Sequence, residues 1–154
     1  MSEHAVHVDW QRTTDDFAYE TYTRNHCWTF VEKGITVPAS AAPAFLGEGG
    51  HVDPEEALVA SLSSCHMLTF LVVAAKKRFV VDRYTDDAVG VLAKNDEGRW
   101  AVTRVALRPQ IVFGGDVQPT SKQIEDMHRL AHEQCFIANS VRTEVVVETT
   151  QGAS

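Results

Sequence analysis

The stretch DPEEALVASLSSCHMLTFLVVAAKK, residues 53–77, decides how the rest of the chain is read. Asp53 carries the short oxygen-bearing side chain of a helix N-cap, Pro54 stands at the first helical position, and Glu56 follows at capping-box spacing. The pattern predicts a helix from there to about Arg78. Between Ala57 and Ala75 it is apolar nearly all the way round, relieved by little but Ser and Thr. Such a helix is buried, not laid on a surface. One short domain hardly covers a helix on every side, so a second copy of the chain is the economical cover. The sequence therefore predicts a homodimer with this helix at its centre.

Cys65 lies midway along the helix, on one stripe with Leu58, Leu62, Thr69 and Val72. It comes about three turns after the cap, where the helix dipole does little for a thiolate. A reactive thiol there needs a charge supplied by another element, because charge partners decide whether a thiol ionises.

Working outward, Val6 to Val37 reads as β: VHVDW, then DFAYETYTRNHCWTFVE, then GITVPAS, with turn residues between. A loop rich in Ala, Pro and Gly follows, about residues 39–51. Beyond the helix come a strand from Val80 to Val91, a turn at Asn95–Gly98 and WAVTRVALRPQIVF, read as antiparallel strands. A second helix is expected over Ser121 to Gln134, giving way at Cys135 to a short turn, and VRTEVVVET closes the chain as a last strand. Strands, helix, strands, helix, strand is an α+β pattern with helices packed on antiparallel sheet.

At 154 residues the chain reads as one domain, residues 1–154, long enough for a real core. A formal net charge of −7, spread throughout, argues against nucleic acid or an anionic membrane as partner. MSEHAVHVDW lacks the basic flank and apolar core of a signal peptide, and the longest apolar run, Met67 to Ala75, is too short for a bilayer. The expected location is cytoplasmic, where three cysteines do not form a permanent disulfide framework.

Strand alternation puts Tyr22, Arg24, His26, Trp28 and Phe30 on one face and Cys27 on the other. Arg24 interrupts an aromatic face. It either snorkels to an exposed edge or meets an anion, for which a thiolate and a carboxylate would serve. His128 and His132, at i and i+4 on the second helix, could present two imidazoles to a metal. A catalytic zinc wants a third protein ligand and the HExxH order is absent, so solvent-facing or hydrogen-bonded histidines are the stronger reading. His66 points about 100° away from Cys65 and reads as a packing or hydrogen-bonding residue.

VDPEEALVASLSSCHMLTFL followed by AHEQCFIANSVRTEV resembles the OsmC/Ohr family of thiol peroxidases, over nearly the whole chain. The resemblance implies an intertwined homodimer with sites at its interface and an enzyme that reduces organic hydroperoxides. It makes Cys65 the peroxidatic nucleophile and Cys135 its resolving partner, joined as a transient disulfide that an external thiol reductant reopens. That reductant would be a lipoyl protein, a thioredoxin-like protein or a small thiol. Glu55, after the proline, maps onto the family's glutamate, and Arg24, 41 residues before Cys65, onto its activating arginine. YTRNHCWTF departs from the Gly-rich start of the organic-hydroperoxide branch. Apolar walls from Tyr22, Trp28 and Phe136 would favour alkyl or lipid hydroperoxides. No metal or organic cofactor is required. Ten residues on one helix separate Glu55 from Cys65 by about 15 Å, so Glu55 is expected from the partner subunit.

Two other functions fit parts of the pattern. A dimeric stress-response or redox-sensing binding module would keep the thiols without turnover. A Cys–His acyl-transfer enzyme would need an oxyanion-hole loop, and none is evident.

Overall fold

The computed structural model describes residues 1–149. Its elements are β1 (Val6–Asp9), β2 (His26–Phe30), β3 (Ile35–Ala39), α1 (Pro54–Lys76), β4 (Val80–Asp86), β5 (Val89–Lys94), β6 (Trp100–Leu107), β7 (Pro109–Gly114), α2 (Ser121–Gln134) and β8 (Glu144–Val147). This is the expected α+β order. The chain divides into two compact units, Met1–Ala57 and Leu58–Ser154.

The first unit is an antiparallel sheet in the order β1-β2-β3, with Trp28 paired to Val8 on one side and Val37 on the other. β2 is shorter than the sequence predicts, because residues 16–25 form turns. The amides of Thr21 and Tyr22 both donate to the Ala18 carbonyl at 3.1 Å, and the Thr21 hydroxyl donates to Asp16. Asp and Thr side chains that bond locally compete with a ladder, and here they win. Arg24 therefore lies outside the strand, a correction to the strand-face reading. From His26 to Trp28 the alternation holds: Trp28 Nε1 donates to His26 Nε2 at 2.9 Å, while Cys27 is exposed; at the end of the strand it lapses, with Thr29 half-buried and Phe30 exposed.

Helix α1 starts as its sequence dictates. Asp53 Oδ1 accepts from the Glu56 amide at 2.7 Å, and the Asp53 amide donates to Glu56 Oε2 at 3.3 Å. It ends two residues before the expected Arg78, which takes a left-handed φ of 63° while the Phe79 amide caps the Ala74 carbonyl.

The second unit holds β4 paired with β7 and a sheet in the order β5-β6-β8. The expected run from Val80 to Val91 breaks after Asp86, whose carboxylate accepts from the Arg108 amide at 2.6 Å. At the predicted turn, Gly98 has φ 74° and its amide donates to the Asn95 carbonyl at 2.8 Å. β8 runs parallel to β6, against the all-antiparallel expectation. A parallel partner needs a long crossover, and β7 with α2 supplies it.

One side of α1 feeds two cores. Phe70, Val73 and Ala74 join Phe79, Ile111, Met127 and Ala131, while Leu62 joins Val105 and Leu107. The opposite side, with Leu68 and Val72, stays exposed at 57% and 50%. The helix is thus apolar on a face that its own unit does not cover. At 23 residues α1 as a whole is long and apolar enough to cross a membrane, as Met67–Ala75 alone is not. The central helix of a soluble protein passes the same test, and Leu62, His66, Phe70, Val73 and Ala74 bury one side of this one in the protein.

Candidate active site

The second unit brings Cys65 and Cys135 together. Cys65 is half-buried in the middle of α1, and Cys135 is 1% exposed at the C-terminal cap of α2. Both are free thiols, and they lie close enough for the Cys65 thiol to act on that of Cys135. Helix α2 is fixed by a capping box between Thr120 and Gln123, and its buried side, Met127, His128 and Ala131, sets Cys135 inward. Beyond the cap the chain turns at once, so the Ala138 amide points back at Cys135 Sγ from 3.4 Å. Burial, first, and then the neighbouring Cys65 thiol push the Cys135 thiol up, while the Ala138 amide pulls against them. At neutral pH Cys135 is a protonated thiol.

A second pair of side chains links the same two helices. His66 Nε2 and His128 Nδ1 lie 3.0 Å apart, with nearly parallel rings, and Phe70 packs on His128 at 4.5 Å. The rings are 1% and 5% exposed. Burial drives the ring of His66 down to about 4, helped by His128 and His132 and opposed by Asp86. Burial does the same for His128. Their outer nitrogens, His66 Nδ1 and His128 Nε2, are buried without a hydrogen-bond partner among the described residues, as is the Tyr84 hydroxyl. The sequence carried both histidines but nothing that paired them, since 62 residues separate the two.

His128 is thus turned inward and hydrogen-bonded, whereas His132 is exposed. Among the described residues no three His, Cys, Asp or Glu side chains are grouped to hold a metal.

In the first unit the Arg24 guanidinium folds back on its own loop. It donates to the carbonyls of Tyr19 and Tyr22 and lies 3.8 Å over the Tyr22 ring. Arg24 lines an apolar cleft of about 480 Å³ with Val8, Trp10, Phe17, Tyr22 and His26. Trp10, Phe17 and Tyr22 form an edge-packed aromatic cluster. Of the expected apolar walls, Tyr22 lines this cleft and Trp28 does not. Phe136, beside Cys135, is 81% exposed. Trp10 and Phe17 went unremarked in the sequence, although aromatics flanking an arginine were a signal. Glu55 sits in the first turn of α1, and the helix is unbroken from Pro54 to Lys76, so the separation of Glu55 from Cys65 along one chain stands.

The family model for OsmC-like proteins matches residues 47–150. No curated protein matches the chain. Among solved structures, an OsmC-like protein of unknown function from Vibrio cholerae O1 biovar eltor is 54% identical. It has a TM-score of 0.91, over 97% of this chain and 99% of that one. An organic hydroperoxide resistance protein OsmC from Legionella pneumophila is 18% identical, with TM-score 0.71 over 97% and 96% of the two chains. An organic hydroperoxide resistance protein from Elizabethkingia anophelis is 15% identical, with TM-score 0.72 over 97% and 94%. The last two likenesses are of fold.

Proposed function

The chain belongs to the OsmC-like protein family, and from that premise we propose that it is a thiol-dependent peroxidase reducing organic hydroperoxides to alcohols. The observation that carries the reading is the close pair of free thiols Cys65 and Cys135, one half-buried and one buried. The names of the Legionella and Elizabethkingia structures, organic hydroperoxide resistance proteins, lend it support.

In this reading Cys65 attacks the O–O bond as thiolate. The alcohol leaves and Cys65 becomes a sulfenic acid. Cys135, held close by, condenses with it, releasing water and forming the disulfide that an external thiol reductant reopens. Arg24 holds the thiolate and orients the peroxide, and Glu55 of the partner subunit fixes the guanidinium by charge-assisted hydrogen bonds. The uncovered stripe through Leu68 and Val72 supports a homodimer about α1. The aromatic cleft supports alkyl or lipid hydroperoxides over hydrogen peroxide as substrates. No metal or organic cofactor takes part, and the setting is cytoplasmic.

The test is multi-turnover consumption of cumene hydroperoxide with a dithiol reductant in excess. The wild-type chain should consume many equivalents, and Arg24→Ala should be slower on the order of a hundredfold, the scale of a lost transition-state charge partner. Glu55→Ala should lose less, because it positions the arginine. No turnover by the wild-type chain with any of a lipoyl dithiol, a thioredoxin-like protein or a small thiol would leave the binding module as the better reading.

A further inference from the structure

Resting on the peroxidase reading, we propose that the reducing thiol attacks Cys65, not Cys135, and that Cys135 departs as a thiolate into the backbone donors of the turn that follows it. The two sulfurs are not equivalent. Cys65 is half-buried in mid-helix, whereas Cys135 is 1% exposed. Thiol–disulfide exchange depends on which sulfur is reached and on how well the other leaves. Access selects Cys65 as the sulfur attacked.

The turn at Ala138–Ser140 prepares Cys135 to leave. Its sulfur accepts the Ala138 amide at 3.4 Å, and the neighbouring Ile137 amide acts in the same direction. Both favour the charged sulfur. The influence of the Cys65 thiol, which favours the protonated form of Cys135, is gone once Cys65 is tied to the reductant. Burial still opposes the charge, so the backbone amides are what make the departure workable. Cys65, in the middle of α1, has no free helical amides to offer.

The reductant thiolate forms a bond to the Cys65 sulfur, the Cys65–Cys135 bond breaks, and its electron pair stays on Cys135, which takes a proton from solvent. A second thiolate then attacks the reductant's own sulfur in the mixed disulfide and releases Cys65 as thiolate. Two thiols have become one disulfide, and the protein is again a dithiol.

The experiment uses a Cys27→Ser chain, since Cys27 is an exposed third thiol. Diamide closes the Cys65–Cys135 bond without any peroxide chemistry, so this step does not depend on the peroxidase reading. Excess 2-mercaptoethanol is added, the reaction is quenched in acid at early times, and free thiols are capped with N-ethylmaleimide before peptide mapping. The expected result is mercaptoethanol on Cys65 with maleimide on Cys135, in excess over the reverse pattern by about tenfold or more. Comparable adducts on both cysteines, a majority on Cys135, or no disulfide after diamide would overturn the proposal. A disulfide that diamide forms and cumene hydroperoxide does not would instead count against the peroxidase reading alone.

Discussion

Cys65→Ser is expected to abolish hydroperoxide consumption, with a loss of at least about a thousandfold, because a serine hydroxyl does not ionise at neutral pH as a thiol can. The substitution replaces one atom on a half-buried position of α1 and leaves the cores around Leu62 and Phe70 untouched. Folding should survive, and a circular dichroism spectrum with the wild-type melting profile would show that activity alone was lost. Cys135→Ser should behave differently. Cys65 can still attack once, but its sulfenic acid has no resolving thiol and passes to the sulfinic state under excess peroxide. Intact mass should then rise by two oxygens in Cys135→Ser and not in the wild type. Multi-turnover consumption by Cys65→Ser equal to that of the wild type would sink the mechanism.

Acid should destabilise the protein through His66 and His128. Both rings titrate near 4 in the folded chain, below the 6.5 of an exposed imidazole, first because they are buried. A ring held neutral in the fold contributes stability that is complete above about pH 6.5 and falls away as pH drops toward 4. That lowering corresponds to roughly 3 kcal/mol for the first ring protonated, a large share of an ordinary domain's stability. Urea midpoints between pH 7 and pH 4.5 should therefore fall steeply. Replacing both rings, as in His66→Leu with His128→Leu, removes the titrating groups and the two orphan nitrogens together and should flatten the slope. A double variant whose stability falls with acid in parallel with the wild type would show that other groups carry the effect.

Local rules carried far. The Asp53 cap, the Asn95–Gly98 turn and the end of α2 before Cys135 all follow from short-range chemistry, and all stand where the residues place them. The long apolar helix was legible too, together with the fact that its own chain would leave part of it uncovered. Arg24 was misread because Asp16 and Thr21 bind nearby polar groups and take residues 16–25 out of the ladder, which alternation alone does not register. The parallel pairing of β8 escaped for a different reason, since strand direction depends on the route of the connection and not on the strand's own residues. The site divides along the same line. Cys65 and Cys135 were marked by their sequence surroundings, whereas the His66–His128 bond is purely tertiary, and a histidine beside a cysteine gives no sign of where its ring will find a partner.

The most direct test of the central claim is peptide mapping after one equivalent of cumene hydroperoxide is added to the reduced wild-type chain with no reductant present. Two thiols per chain should be lost, the mass should fall by two hydrogens, and a single crosslinked peptide should join Cys65 to Cys135, with Cys27 still free. A chain that keeps all three thiols, or that oxidises at Cys27 while Cys65 and Cys135 remain reduced, would contradict it.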